Sequence, residues 1–99
     1  MEKDGTHVFG RGADELLRSI RETHSIAKSA EMLDMSYRYA WGMIREVQQK
    51  LGVRILETRK GGREGGGATV TEEGLLLLKL YAEAKEAFER AAADLKDPS

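Results

Sequence analysis

Two apolar stripes at helical spacing occupy the first third of the chain. Between residues 13 and 23, leucine and isoleucine recur every three to four positions with charged residues between them, which predicts a helix with one buried face. Ser25 is placed as an N-cap, because its hydroxyl can accept a hydrogen bond from an unpaired amide, and a second short stripe follows it to about Asp34. Ahead of both stripes, the turn pair at 4–5 and the run at 7–9 predict a short strand.

A third predicted helix has two chemically different faces. Ser36 repeats the N-cap signal only a few residues after the second stripe, and Gly52 is placed to end the helix in a left-handed turn. One face is apolar and the other is basic, aromatic and polar. The first holds Ala40, Ile44, Val47 and Leu51, and the second holds Arg38, Trp41, Arg45 and Gln48. The tight turn between the second and third helices predicts a helix-turn-helix.

A glycine-rich segment then separates two strand-like stretches. Residues 53–58 and 68–71 have strand character, and five of the seven residues from Gly61 to Gly67 are glycine. Basic side chains precede and interrupt these glycines. The pattern predicts a β-hairpin over about 53–71 with a flexible, basic tip.

The last predicted helix is long and carries a heptad-like seam. Thr71 caps this helix, Pro98 lies beyond its end, and the seam runs for about five turns, longer than a small three-helix core can cover. The seam consists of Leu77, Tyr81, Ala84, Phe88, Ala91 and Leu95. We therefore expect it to pair two copies of the chain in a homodimer. In the alternative, leucines at 75, 76, 78 and 80 pack on their own domain and the alanine-rich end lies in solvent.

These elements give an α+β, mostly helical fold class. Residues 1–71 are predicted to form a winged helix-turn-helix domain, with a recognition helix at about 36–51 and a wing at about 53–71. Residues 72–97 are predicted to form a long C-terminal dimerisation helix. With 99 residues, the chain is long enough for one such domain and too short for a second one.

The net charge of -1 conceals a basic centre. Residues 1–34 carry a net charge of -2 and residues 65–99 carry -3, whereas residues 35–64 carry +4, with seven basic and three acidic side chains. The basic third coincides with the predicted third helix and hairpin. A surface divided in this way favours an anionic partner that docks in one orientation.

The composition excludes several classes of function. Cysteine is absent and there are only two histidines, so thiol catalysis, disulfides and the common zinc sites are excluded and no cofactor is expected. The glycine-rich segment lacks the Gly-Lys-Ser/Thr ending of a phosphate-binding loop, and no catalytic arrangement of nucleophile, base and acid is recognisable, so we expect no enzyme activity. The apolar run at 75–78 is too short to cross a bilayer. We expect a cytoplasmic protein with no membrane partner.

Three segments resemble a known family of regulators. The run Ser36-Tyr37-Arg38-Tyr39-Ala40-Trp41, the glycine segment at 61–68 and Thr71-Glu72-Glu73-Gly74 resemble the N-terminal DNA-binding domain of the ModE family of molybdate-responsive regulators. The match extends from Phe9-Gly10 into the last helix, and the arrangement is more distantly similar to LysR-type winged helices. The resemblance implies a transcriptional regulator that binds double-stranded operator DNA as a dimer. Because the chain ends at Ser99, before the molybdate-binding modules of the family, we do not carry metal sensing over; whether a separate protein senses an effector stays open.

The resemblance also implies that residues 36–38, at the start of the third predicted helix, approach DNA, and physical arguments assign roles to these and the other candidates. Arg38 would read guanine through two hydrogen bonds, whereas Arg45, two turns later, would contact phosphate. Trp41 either lies against the sugar-phosphate backbone or packs in the core, with packing favoured, and Tyr39 is expected to be structural. The candidate DNA-binding residues are Ser25, Ser36, Tyr37, Arg38, Trp41, Arg45, Arg59, Lys60 and Arg63.

A second function class competes with DNA binding. Winged helices also dock on other proteins, and the apolar last helix could serve that purpose. Salt-sensitive retardation of random duplex in a gel separates the two classes, because only a DNA binder releases counterions from phosphates.

Overall fold

The computed structural model describes residues 9–59 and 67–96, which form four helices and one two-stranded sheet. In chain order the elements are α1 (Arg11–Thr23), α2 (Ile26–Met32), α3 (Tyr37–Leu51), β1 (Leu56–Arg59), β2 (Gly67–Val70) and α4 (Glu72–Lys96). Their order and type confirm the predicted α+β, mostly helical class. The predicted opening strand lies, apart from Phe9, outside the described residues.

Side-chain and glycine caps set the start of α2 and both ends of α3 where the sequence predicts them, whereas α1 begins at Arg11, before the predicted residue 13, and α2 ends at Met32, before the predicted Asp34. At the start of α2 the hydroxyl of Ser25 accepts a hydrogen bond from the N–H of Lys28, and at the start of α3 Ser36 accepts one from Tyr39, both at 3.0 Å. Helix α3 ends at Gly52, whose φ of 71° lies in the left-handed region. Only a short turn separates α2 from α3, so the predicted helix-turn-helix is present.

The core lies between the first three helices and the hairpin. Its large side chains with almost no exposed surface are Leu16, Leu17, Ile20, Ile44, Val47 and Ile55. Ala30 of α2 and Ala40 of α3 are also buried, and their small size suits a close approach of the two helices. The prediction that Leu51 shares the buried face is wrong: the buried stripe of α3 ends one turn earlier, and Leu51 is exposed.

The hairpin is antiparallel and is joined to the end of α1. Leu56 of β1 pairs with Val70 of β2, and the N–H of Ala68 donates a 3.0 Å hydrogen bond to the carbonyl oxygen of His24. Strand β1 begins three residues later than the predicted start at residue 53, because the N–H of Ile55, just before it, donates to the side chain of Gln48 in α3 instead of to the other strand.

The first turns of α4 pack on the hairpin, and the rest extends away from the domain. The hydroxyl of Thr71 donates to the carbonyl oxygen of Arg54 at 2.6 Å and accepts from the N–H of Gly74 at 3.0 Å, which confirms Thr71 as the cap. Leu78 is buried in the core, but the described side chains at 79–95 are all half-buried or exposed. The molecule is consequently elongated, with extents of 61 × 25 × 24 Å.

Candidate nucleic-acid interface

The start of α3 presents its predicted recognition residues to solvent. Tyr37 and Arg38 are exposed in the first turn, and Arg45 is exposed two turns later. Arg38 and Arg45 are seven residues apart, so they lie on the same face of the helix. The hydroxyl oxygen of Ser36 accepts the capping bond from Tyr39, and its hydrogen remains able to donate outward. A polyanion lying along this face meets a hydroxyl-bearing helix start and two guanidinium groups.

Ser25 is a cap at the start of α2, and it belongs to a small hydroxyl cluster. Its backbone N–H donates to the hydroxyl of Thr23 at 3.2 Å, and that hydroxyl lies 2.9 Å from the hydroxyl of the buried Ser29. The side chain of Ser25 is itself half-buried. These contacts fix the start of α2, the helix that precedes α3 in the motif.

Three side chains of α3 test the predicted orientations. Tyr39, expected to be structural, is 62% exposed on the outer face of α3. Gln48, predicted on the face that carries Arg38 and Arg45, is half-buried and turned toward β1. Trp41 is half-buried and packs against the core, which agrees with the favoured packing interpretation. Trp41 and Gln48 therefore turn toward their own domain, whereas Tyr39 joins Arg38 and Arg45 on the exposed surface of α3.

A shallow depression lies over the middle of the exposed face. Its volume is about 500 Å³, and its lining residues are Arg38, Tyr39, Gly42, Met43 and Glu46. A Cβ atom added to Gly42 would have no heavy atom within 4 Å, so nothing in the described part of the chain fills the space above it. Sequence reasoning missed this feature, although a glycine in the middle of a helix is itself a signal for it.

The wing contributes Arg59 at the outer end of its first strand. Arg59 is exposed and pairs with Gly67 of β2, next to the glycine-rich tip. The other two basic residues assigned to the wing, Lys60 and Arg63, lie outside the described residues. The described geometry thus places one cation beside the hairpin tip.

The predicted seam of α4 divides into two parts. Leu77 packs against the core, and the ring of Tyr81 meets Phe9 edge to face, with centroids 5.4 Å apart. Further along, Phe88 is 72% exposed and Leu95 is 81% exposed, with Ala84 and Ala91 exposed beside them. Leu75, Leu76 and Leu80 are exposed as well, so only Leu78 follows the alternative in which this leucine cluster packs on its own domain. Within the described residues, α4 therefore presents an extended exposed apolar surface.

The described ranges hold no grouping of three or more histidine, aspartate or glutamate side chains that could bind a metal ion. Among the four helices of those ranges, none combines the length and the apolar character that crossing a membrane requires.

Comparison with known proteins agrees with this geometry. Residues 14–75 match the family model for bacterial regulatory helix-turn-helix proteins of the lysR family. The chain is 34% identical over 84 residues to the transcriptional regulator ModE of Yersinia pestis, which covers 85% of this chain and 32% of the relative. It is 38% identical over 66 residues to the DNA-binding transcriptional dual regulator ModE of Escherichia coli strain K12, covering 67% of this chain and 25% of the relative.

A third relative and a solved structure extend the comparison. The molybdenum-pterin-binding protein MopB of Rhodobacter capsulatus is 31% identical over 81 residues, covering 82% of this chain and 30% of the relative. The crystal structure of a BenM_DBD/benA site 1 DNA complex superposes with a TM-score of 0.60 over 87% of this chain and 94% of that chain, at 19% identity, and shows the same fold.

These matches confirm the resemblance to ModE regulators and to LysR-type winged helices. The chain spans between a quarter and a third of the length of the three curated relatives. The matched region runs from α1 to the first turn of α4 and thus includes the helix-turn-helix and the hairpin. The chain belongs to the lysR family of bacterial regulatory helix-turn-helix proteins.

Proposed function

We propose that this chain is the DNA-binding part of a transcriptional regulator and that it recognises a specific operator sequence as a homodimer. In this proposal α3 enters the major groove and the wing contacts the neighbouring backbone. The observation that carries it is the exposed face of α3, on which Arg38 and Arg45 project together from a helix-turn-helix. The superposable structure is a complex with DNA, which supports DNA as the partner.

The charge distribution supports a polyanionic partner. The basic third of the sequence, residues 35–64, contains α3 and β1, whereas the acidic flanks contain α1 and the long α4. A DNA duplex would be attracted to the basic surface of α3 and β1 and repelled by the acidic flanks, so the electrostatic field of the protein favours one docking orientation. As a bacterial regulator, the protein would act in the cytoplasm, where the chromosome lies.

Electrophoretic mobility tests the proposal. Random duplex should be retarded at low salt and released at moderate salt, because each neutralised phosphate returns counterions to solution. Selection of bound sequences from a random library should then enrich one motif in two symmetric half-sites. Absence of retardation at low salt would refute DNA binding, and retardation without an enriched motif would refute the specific operator.

A protein-docking module is the second candidate. The exposed apolar side chains of α4, including Phe88 and Leu95, favour an interaction with another protein chain. Under our proposal that chain is a second copy of the same protein. A module that docks only on other proteins would show no salt-dependent retardation of duplex DNA.

A further inference from the structure

The exposed face of α3 has a gap at its centre. Gly42 is two residues from both Ala40 and Ile44, and residues two apart on an α-helix point in nearly opposite directions. Ala40 and Ile44 have no exposed surface, so Gly42 lies at the middle of the face that points away from the core. Glycine here makes the helix less stable than alanine would. With no heavy atom of the chain within 4 Å of the Cβ position, packing within the described protomer gives no reason for it.

A carboxylate lies one turn beyond the gap. Glu46 lines the same depression as Gly42 and follows it by four residues, whereas Arg38 precedes Gly42 by four residues. Its Oε2 atom is 3.9 Å from Nζ of Lys50, too far for a hydrogen bond, and its side chain is 61% exposed. An acidic group on a helix face that approaches phosphates weakens binding, unless it finds a hydrogen-bond donor there.

Resting on the function proposed above, we infer that Gly42 and Glu46 form a base-reading site for cytosine. The missing side chain at Gly42 lets the axis of α3 lie closer to the floor of the major groove, which brings Glu46 within reach of base edges. The donors on that floor are the exocyclic amino groups of cytosine and adenine. Adenine presents its N7 acceptor beside the amino group and would repel a carboxylate, whereas cytosine offers the amino group without that acceptor.

Arg38 and Glu46 then read different base pairs. They are eight residues apart, which corresponds to about 12 Å along the helix axis. Successive base pairs are separated by about 3.4 Å, so this distance spans three to four steps. Arg38 would donate to guanine at one end of the contact and Glu46 would accept from cytosine at the other. Donor and acceptor at opposite ends fix the direction in which α3 lies along the groove.

Replacement of one oxygen by an amide nitrogen tests the assignment. Binding sites are selected from a random duplex library with the intact chain and with Glu46→Gln, which keeps the size of the side chain. Glutamine forms two hydrogen bonds with adenine, so the selected motif should change from cytosine to adenine at one position of each half-site. With single duplexes, the wild-type preference for cytosine at that position should be about fivefold or more, and Glu46→Gln should reverse it. Glu22→Gln, which removes the same charge from an exposed position of α1, should leave the motif unchanged.

The alternative role of Glu46 gives a different result. If the Glu46 carboxylate only lies beside Lys50 in solvent and contacts no base, Glu46→Gln will raise the affinity for every duplex equally. The selection will then enrich the wild-type motif. That outcome would overturn the inference while the proposed function stands. If the wild-type chain itself enriches no motif, the proposed function fails instead.

Gly42→Ala provides a second, independent test of the inference. The added methyl group should raise the midpoint of thermal unfolding, because alanine is the better helix former, and should reduce the discrimination between cytosine and adenine at the same position. Higher thermal stability with unaltered discrimination would show that the gap does not bring Glu46 to the bases, and would overturn the role of Gly42.

Discussion

The side-chain oxygen of Gln48 lies 2.8 Å from the backbone nitrogen of Ile55 and accepts a hydrogen bond from it. The same oxygen accepts a second bond from the N–H of Leu56, at 3.2 Å. One amide group of α3 therefore holds the start of β1, and the orientation of the wing relative to the recognition helix depends on it. In the proposed complex α3 and the wing contact DNA together, and these two hydrogen bonds would hold the two elements in one relative orientation.

Removal of the Gln48 acceptor should destabilise the domain. Gln48→Met keeps the length of the side chain but leaves the N–H groups of Ile55 and Leu56 without their partner, and we expect a loss of about 1–3 kcal/mol in the free energy of unfolding. Urea denaturation followed by circular dichroism measures it. Gln49→Met, at the adjacent exposed position, is the matched control and should change stability little. Equal stability of the two variants would mean that the Gln48 contact contributes nothing.

Gly74 should tolerate no side chain. A Cβ atom at this position would lie 2.6 Å from the carbonyl oxygen of Ile55 and 2.6 Å from Cγ1 of Val70, so α4 would have to move off the hairpin. We expect Gly74→Ala to cost about 1–3 kcal/mol of stability, despite the better helix propensity of alanine. Gly12→Ala is the control, because its Cβ would meet Met43 at an ordinary 3.8 Å. Thermal unfolding should separate the two variants, and an unchanged midpoint for Gly74→Ala would contradict the close approach.

The starts of α2 and α4 and both ends of α3 were predictable because their signals are local. Ser25, Ser36 and Thr71 each accept a hydrogen bond from an amide three residues later, and Gly52 adopts a left-handed φ that other residues rarely take. Each of these interactions lies within four residues of sequence. The division of the chain into a basic centre and acidic flanks was also predictable, because it depends only on the order of charged residues in the sequence.

The orientation of individual side chains was less predictable. Gln48 shares its helical spacing with Arg45, but its partner is seven residues away in a loop whose course the sequence does not reveal. Tyr39 is exposed because no described element covers its side of α3. The spacing of apolar residues in α3 does not show which side of the helix the hairpin will pack against. These side-chain orientations follow from tertiary packing, which overrides local preference.

Arg38 and Arg45 should affect DNA binding in different ways. Arg38→Ala should reduce the preference for operator over random duplex, at a cost of about 1–3 kcal/mol for the base it reads. Arg45→Ala should weaken binding to both duplexes by the same factor, because phosphate contacts carry no sequence information. Titrations with operator and random duplex at one salt concentration measure both effects. If both variants weakened binding to both duplexes by one common factor, the assignment of Arg38 to base readout would be wrong.

The wing should contribute through charge. Neutralisation of Arg59, Lys60 and Arg63 together should lower affinity and reduce the slope of log affinity against log salt by up to about 0.9 for each phosphate that the wing no longer neutralises. Circular dichroism should show an unchanged fold, since Arg59 is exposed at the end of its strand. An unaltered salt slope in the triple variant would indicate that the hairpin does not touch DNA in solution.

The exposed half of α4 should hold two protomers together. Leu77 and Tyr81 are already packed on their own domain, so the surface proposed for pairing lies further along the helix and is centred on Phe88. The Phe88 ring is 72% exposed in the single chain. Across a two-fold axis it would bury apolar surface, and each Å² buried would stabilise the dimer by about 25 cal/mol. Ala84 and Ala91, one turn to either side, leave room for the partner ring to approach.

A charge at position 88 should therefore dissociate the dimer. Sedimentation velocity at micromolar concentration should give a dimer for the intact chain and a monomer for Phe88→Glu. Ala93→Glu, on the side of α4 away from the seam, should stay dimeric. A monomeric intact chain would overturn the dimer model.

The change at Phe88 should also weaken binding to two-fold symmetric operators far more than binding to single half-sites, because only a dimer places two recognition helices about one turn of DNA apart. Each half-site would keep its own affinity, and the decrease on the symmetric operator would measure the effective concentration that α4 provides for the second α3.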